Sequence, residues 1–172
     1  MSASRTALFP GTFDPFTNGH LDLTRRALRL FDRVVIAVAH NPAKGTLFTV
    51  EERAGLVRAT LRHQRRVEVV DFSDLLVDCA ARHGAHVMIR GLRAVSDFEF
   101  EFQMALMNRR LSRGLEVAFL MPSQQYTYLN SSLVKQVARL GGNVKGLVPT
   151  PVLAALKAKL APKPLVRSKR TP

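Results

Sequence analysis

Short apolar segments rich in β-branched residues alternate along the chain with longer amphipathic segments. We interpret five apolar segments as strands: 6–10, 33–39, 67–71, 86–89 and 116–120. Between them, apolar residues recur at the spacing of a helix face. Strands that are apolar almost throughout and separated by helices are typical of parallel strands covered on both faces. The pattern therefore predicts an α/β fold with a doubly wound, parallel, five-stranded sheet and helices on both faces.

Side chains that commonly cap helices mark where several of these helices should begin. Thr49 and Ser96 are each followed three positions later by a glutamate, which is the spacing of a capping box. The other predicted caps are Ser73 or Asp74 for a third helix, and Thr150 for the last one.

Length and charge indicate one domain with anionic partners. The chain has 172 residues, and we expect a single domain over residues 1–160 followed by a basic, disordered tail over 161–172. It carries 26 Lys and Arg against 13 Asp and Glu, a formal net charge of +13. From Val117 onward there is no acidic residue. This balance favours phosphate-bearing ligands.

The cysteine count and the hydropathy pattern argue against a disulfide-stabilised, secreted or membrane-spanning protein. Cys79 is the single cysteine, which excludes an intrachain disulfide and a cysteine-rich zinc site, and the five histidines show no metal-ligand spacing. The N-terminus lacks the pattern of a signal peptide, and no apolar run approaches the roughly 18 residues that a membrane span needs. We therefore expect a cytoplasmic protein with no membrane contact and no protein metal site.

The loop after the first strand combines residue types that suit a phosphate group. Gly11 allows a turn or a close approach to a ligand, and Thr12 offers a hydroxyl at the strand tip. His20 then lies at the start of a predicted helix, where free N–H groups and the helix dipole attract anions. Two arginines, Arg90 and Arg93, follow the fourth strand, and guanidinium groups match phosphate oxygens.

Four separated motifs are similar to one family. The segment Thr17-Asn18-Gly19-His20 matches the T/H-x-G-H signature of the nucleotidylyltransferase superfamily, and the longer string PGTFDPFTNGH resembles the phosphopantetheine adenylyltransferases. Segments 48–53 (FTVEER), 89–93 (IRGLR) and 131–135 (SSLVK) agree with the same family. The resemblance covers roughly residues 5–160 and implies a Rossmann-like nucleotidylyltransferase fold.

The resemblance also implies a reaction and a set of site residues. The family transfers the AMP part of ATP to the phosphate of 4′-phosphopantetheine and releases dephospho-coenzyme A and pyrophosphate, the penultimate step of coenzyme A synthesis. The implied catalytic residues are Thr12, His20, Lys44 and Arg93. The implied ATP contacts are Thr12, Phe13, His20, Gly91, Leu92, Arg93, Glu101, Tyr126, Thr127, Tyr128, Leu129, Asn130, Ser131 and Ser132. The implied substrate contacts are Thr12, Lys44, Leu76, Arg90 and Asn108.

Further expectations concern cofactor and partners. ATP chemistry requires a divalent cation, and we expect Mg²⁺ on the phosphates with few or no protein ligands. The resemblance implies a homohexamer, and we expect neither nucleic acid nor a membrane as a partner. The pantetheine arm needs an apolar groove, for which the candidates are Leu75, Leu76, Met107 and Asn108.

Two departures and two alternatives remain at this point. Asn130 stands where the family usually has the first of three serines, and Tyr126 lies near a position where it often has tryptophan. Asp14 suits a turn as well as a site role. The alternatives are another small-molecule nucleotidylyltransferase, for example one acting on nicotinate mononucleotide, and a nucleic-acid-binding protein that uses the basic C-terminal segment.

Overall fold

Five parallel strands form one sheet at the centre of the molecule. The computed structural model describes residues 5–40, 45–93 and 95–161, with backbone alone for 95–97. The strands are β1 (Thr6–Gly11), β2 (Arg33–Ala39), β3 (Val67–Phe72), β4 (Val87–Gly91) and β5 (Glu116–Leu120). Their order is β3-β2-β1-β4-β5, and every neighbouring pair is parallel. Strand order reverses between β1 and β4, which is where such sheets bind ligands.

Within the described ranges, six helices connect and cover these strands. They are α1 (Asn18–Leu30), α2 (Val50–Leu61), α3 (Leu76–Arg82), α4 (Val95–Leu111), α5 (Ser131–Arg139) and α6 (Thr150–Leu160), with a 3₁₀ turn at Gln124–Tyr126 before α5. The five strands and the doubly wound architecture confirm the prediction from the hydrophobic pattern.

Alternate residues of the central strands enter two separate hydrophobic layers. In β2, Val34, Ile36 and Val38 join the layer that α1, α2, α5 and α6 cover, whereas Val35 and Ala37 join the layer under α3. All five side chains are fully buried. Because successive side chains of a strand point to opposite faces, a strand covered on both faces must be apolar at every position.

The predicted helix caps have mixed outcomes. Thr49 caps α2 through a capping box: its side chain accepts from Glu52 N–H at 3.2 Å, and its own N–H donates to the Glu52 carboxylate at 2.8 Å. Ser96 lies inside α4, because the helix already begins at Val95. Thr150 is the first residue of α6, whose cap is Pro149.

The cap predicted for α3 is wrong. Neither Ser73 nor Asp74 caps this helix, which begins at Leu76 after Leu75, with no side-chain cap. The Asp74 carboxylate pairs instead with Arg82 in the last turn of α3. A charged partner on the same helix therefore takes the carboxylate that the sequence suggested for the cap.

The predicted domain boundary lies next to the last described residue, Ala161. Helix α6 ends at Leu160, and of the predicted tail only Ala161 lies within the described residues. The predicted boundary between domain and tail therefore stays a prediction. Among the described helices none is long and apolar enough to cross a lipid bilayer.

Candidate active site

A cleft of about 670 Å³ opens at the carboxyl ends of β1 and β4, where the strand order reverses. The loops after β1, β4 and β5 and the N-terminal turns of α1 and α5 line it. Its volume lies within the range of small-ligand sites. It collects twelve of the predicted site residues: Thr12, Phe13, His20, Arg90, Gly91, Arg93, Glu101, Tyr126, Leu129, Asn130, Ser131 and Ser132.

The β1–α1 loop forms one wall of the cleft in a constrained conformation. Phe13 has a φ of 50°, in the left-handed region that L-residues rarely adopt, and its ring is buried. That ring packs against Phe9 and Phe16 at centroid distances of 5.5 Å. A Cβ atom at Gly11 would lie 2.8 Å from Phe13 Cζ, so the loop requires glycine at this position.

His20, in the first turn of α1, is held in one orientation by the cap of that helix. Thr17 is the N-cap of α1, and its backbone N–H donates to His20 Nδ1 at 3.0 Å. An imidazole nitrogen that accepts a hydrogen bond carries no proton, so the neutral ring carries its proton on Nε2. The ring also stacks on Phe16 at a centroid distance of 5.4 Å.

The surroundings of His20 keep it neutral. Burial lowers the pKa of His20 to about 3, and the positive charge of Arg93 acts in the same direction. Near neutral pH this side chain is therefore a fixed, uncharged N–H donor at the cleft wall.

Arg90 and Glu101 form a bidentate pair at the end of β4. Arg90 Nε donates to Glu101 Oε2 at 2.5 Å, and Arg90 Nη2 donates to Glu101 Oε1. Arg90 Nη1 also donates to the carbonyl of Pro10 at 3.2 Å. The resemblance assigned the two side chains to different ligands; in this structure the carboxylate orients the guanidinium.

The N-terminal turn of α5 forms another wall of the cleft. Asn130 is its N-cap and accepts from Leu133 N–H at 2.8 Å, while Ser131 Oγ donates to the carbonyl of Pro15 at 2.8 Å. Asparagine, at the position where the family usually has serine, thus caps this helix. The Arg93 guanidinium reaches across the cleft and donates to the Leu129 carbonyl at 3.4 Å.

The Asp14 side chain makes hydrogen bonds to two other segments inside the protein. Its buried carboxylate accepts from the N–H groups of Leu47 and Phe48 at 2.9–3.1 Å and from Lys135 Nζ at 2.5 Å. The carboxylate therefore joins the β1–α1 loop to the chain before α2 and to α5. Asp14 lies in a turn and also lines the cleft, so a turn role and a site role both remain open for it.

Two cationic residues of the site were missed by sequence reasoning. Lys135 lines the cleft beside Asp14, and Arg53, 3% exposed, donates to the carbonyl of the cleft residue Thr12. Both stand in the motifs that carried the family resemblance, which was the available signal. Their spacing along α5 and α2 gave no sign that they reach the β1–α1 loop.

A small side pocket of about 80 Å³ adjoins the cleft at Arg90, Phe100 and Glu101. Leu76 and Asn108 line it, as the predicted apolar groove requires. The other two groove candidates do not: Leu75 and Met107 are outside its lining and are exposed.

The remaining predicted residues lie beside the cleft or outside the described chain. The residues outside the cleft lining are Leu92, Thr127 and Tyr128. Leu92 N–H donates to the Leu120 carbonyl at 3.0 Å, which continues the sheet. Lys44 lies outside the described residues.

Acidic residues of the cleft do not form a metal cage. Within the described ranges, no group of three or more His, Cys, Asp or Glu side chains comes close enough to hold a metal ion. Asp14 and Glu101 are occupied by cations of the protein. A metal in this cleft would depend on ligand oxygens.

Comparison with known proteins identifies the family of this chain. The cytidylyltransferase-like family model matches residues 8–137. A phosphopantetheine adenylyltransferase from Methylococcus capsulatus is 55% identical over 156 residues, covering 91% of this chain and 96% of that protein. Proteins of the same name from Thioalkalivibrio sulfidiphilus and an Anaeromyxobacter species are 55% and 51% identical, over 90% and 94% of this chain and 97% and 98% of theirs.

A solved structure shares the fold. A "putative nicotinate-nucleotide adenylyltransferase" from Vibrio parahaemolyticus superposes with a TM-score of 0.68 at 16% identity, covering 89% of this chain and 98% of that one. At this identity the likeness concerns the fold alone. The family match over most of the chain and the relatives above 50% identity decide the assignment: the chain belongs to the cytidylyltransferase-like family and, within it, to the phosphopantetheine adenylyltransferases.

Proposed function

We propose that this protein is a nucleotidyltransferase that moves AMP from ATP to the phosphate of 4′-phosphopantetheine, giving dephospho-coenzyme A and pyrophosphate. The observation that carries the proposal is the identity of 51–55% to three proteins named for this activity, each aligned over at least 90% of the chain. The product makes this the penultimate step of coenzyme A synthesis.

The substrate supplies the nucleophile in this reaction. An oxygen of the 4′-phosphate attacks the α-phosphorus of ATP, and a new P–O bond forms. The bond from the α-phosphorus to the oxygen that bridges to the β-phosphorus breaks, and pyrophosphate leaves with that electron pair. The protein needs no covalent nucleophile, so catalysis rests on positioning and on electrostatic stabilisation of the transition state.

His20 is the central donor in this scheme. Its Nδ1 is occupied by the Thr17 N–H, so Nε2–H is the atom that donates to an α-phosphate oxygen as charge develops there. Thr12, beside it in the cleft, places its hydroxyl between the attacking phosphate and ATP. A neutral donor keeps its hydrogen bond throughout the reaction without exchanging a proton with solvent.

Positive charge surrounds the phosphates from three sides. Arg93 and the N-terminal turns of α1 and α5 favour the ATP phosphates, while Arg90 binds the phosphate of the second substrate. The other residues predicted to contact ATP, in the β4–α4 and β5–α5 loops, belong to the same ATP site. By resemblance Lys44 contacts the phosphates of both substrates, which is a proposal for a residue outside the described chain.

Mg²⁺ enters this proposal with ATP. The cleft offers no free carboxylate set among the described residues, which fits a cation held by phosphate oxygens. Its chemistry is to offset phosphate charge when it is bound. The pantetheine arm extends past Arg90 into the side pocket with Leu76 and Asn108.

The exposed face of α4 supports the proposed homohexamer. Along this helix Phe98, Phe102 and Leu106, which are spaced four residues apart on one face, are 45–50% exposed. Large apolar side chains in such a row mark a surface that another protein covers. We propose that copies of this chain meet there, in the cytoplasm that the composition favours.

Pyrophosphate release from Mg-ATP and 4′-phosphopantetheine tests the proposed function. We expect release that requires both substrates, and a loss of about 100- to 1,000-fold in kcat for His20→Ala, since a positioned donor to the reacting phosphate is removed. His63→Ala is the matched control, because His63 is exposed just after α2 and does not line the cleft.

The alternatives predict other results. If wild type turns over nicotinate mononucleotide and not 4′-phosphopantetheine, the chain is a different nucleotidylyltransferase. Binding of RNA that weakens steeply with salt, without adenylyl transfer, would support the nucleic-acid alternative.

A further inference from the structure

Arg53 is a buried cation whose guanidinium donates to backbone carbonyls. It lies on α2 and is 3% exposed. Its Nη1 donates to the carbonyls of Thr12 at 2.5 Å and Ala39 at 2.9 Å, and its Nε donates to the carbonyl of Phe48 at 3.3 Å. Burying a guanidinium costs free energy that the three carbonyls and the nearby Asp14 charge offset. Such a costly arrangement calls for a purpose beyond filling the core.

The contact with Thr12 determines how the next peptide group points. The carbonyl of Thr12 and the N–H of Phe13 belong to one planar trans peptide, so they point in opposite directions. Arg53, which binds this carbonyl, is not among the residues that line the cleft, whereas Thr12 and Phe13 are. The Phe13 N–H is therefore directed towards the cleft. No acceptor among the described residues takes this N–H.

The conformation of Phe13 needs such support. A φ of 50° is unfavourable for an L-residue, so the loop must be held by contacts that the alternative conformation lacks. The buried ring supplies one such contact and the Arg53 hydrogen bond to the preceding carbonyl supplies the other. Together they hold the peptide in the one orientation that exposes its donor.

We propose that Arg53 is a positioning residue of the adenylyl-transfer site, which holds the Thr12 carbonyl so that the Phe13 N–H donates to a phosphate oxygen of ATP. The inference rests on the proposed function, because it takes ATP as the ligand. Arg53 does not touch the ligand; it acts through the Thr12–Phe13 peptide. A lysine at position 53 keeps the charge but cannot reach the three carbonyls with a fork of donors.

Kinetics of Arg53→Lys give the first test. We expect kcat/KM for Mg-ATP to fall about 10- to 100-fold, while the Kd of 4′-phosphopantetheine changes less than about 3-fold. The matched control is Arg58→Lys on the same helix, whose exposed guanidinium donates to the Val69 carbonyl at 3.1 Å; it should keep wild-type kinetics. Equal losses for both substrates, or none for either, would overturn the proposal.

Selective ¹⁵N-phenylalanine labelling gives a readout that a merely structural role would not move. Saturating Mg-α,β-methylene-ATP should shift the Phe13 amide proton downfield in wild type and less so in Arg53→Lys. An unchanged Phe13 amide in wild type would refute the proposal without any variant.

A backbone substitution covers the case in which Arg53→Lys fails to fold. Replacing the Thr12–Phe13 amide by an ester removes this N–H and keeps Arg53; we expect a loss of about 100-fold in kcat/KM for Mg-ATP, and an unaltered value contradicts the inference. Wild type that releases no pyrophosphate would refute the proposed function and this inference with it. Normal turnover by Arg53→Lys and by the ester would refute the inference alone.

Discussion

His20 takes its protonation state from its surroundings. Its Nδ1 accepts from Thr17 N–H, aromatic rings enclose it and Arg93 adds positive charge nearby. Each of these disfavours the imidazolium form. Arg90 shows the same dependence on context, because Glu101 holds its guanidinium before a ligand arrives. At this scale the residue types were readable in the sequence, but their charge states and orientations follow from neighbours.

The pKa of His20 gives a prediction with a definite sign. The unfolded chain has a histidine pKa near 6.5 and the folded one about 3, so the unfolded state binds more protons between these values. Stability should therefore decrease as pH falls from about 6.5 towards 3. NMR titration of the imidazole should show a neutral ring down to pH 5, and kcat should have no limb from His20 between pH 5 and 8. A measured pKa above 6 would contradict this.

Some features of a helix or loop depend on its own sequence alone, and others depend on packing against the rest of the protein. The capping box of α2 was predicted from two residues and confirmed, because both partners lie within one turn. The β1–α1 loop differs, since its shape depends on packing of the Phe13 ring against Gly11. A local pattern identifies such a loop, and only the packing explains why glycine is required.

Alanine substitutions at a packed glycine and at an exposed helical glycine separate the effect of tertiary packing from that of local helix propensity. Gly11→Ala would bring a Cβ to 2.8 Å from the Phe13 ring, and we expect a loss of about 1–3 kcal/mol in the free energy of unfolding together with lower activity. Gly55→Ala in the exposed part of α2 meets no atom within 4 Å and should add about 0.5–1 kcal/mol. Urea denaturation measures both, and a neutral Gly11→Ala would refute the packing argument.

Charge and apolar surface matter at the scale of the whole molecule. The sheet brings together loops that carry the arginines, the histidine and two helix N-termini, so an overall basic chain concentrates its positive potential in one cleft. On α4, apolar side chains remain outside both hydrophobic layers of the subunit. We propose that these two features serve different partners: anionic ligands in the first case and other copies of the chain in the second.

Sedimentation velocity tests the role assigned to α4. We expect wild type to sediment as a hexamer and Leu106→Glu to dissociate, because a charge would replace a half-exposed leucine in the proposed contact. The control is Leu140→Glu, since Leu140 is 83% exposed and follows α5, away from this face. A monomeric wild type, or a Leu106→Glu variant with wild-type sedimentation, would show that α4 is not the interface.

The amino-acid sequence by itself determined the five strands, the helices between them and the motifs that gather at one edge of the sheet. These follow from periodicity and local capping, which depend on residues a few positions apart. Only the tertiary structure showed that Lys135 pairs with Asp14 across 121 positions and that Arg53 reaches Thr12 across 41. In a linear sequence a buried charge looks like a surface charge, because what distinguishes them is a partner brought near by the fold.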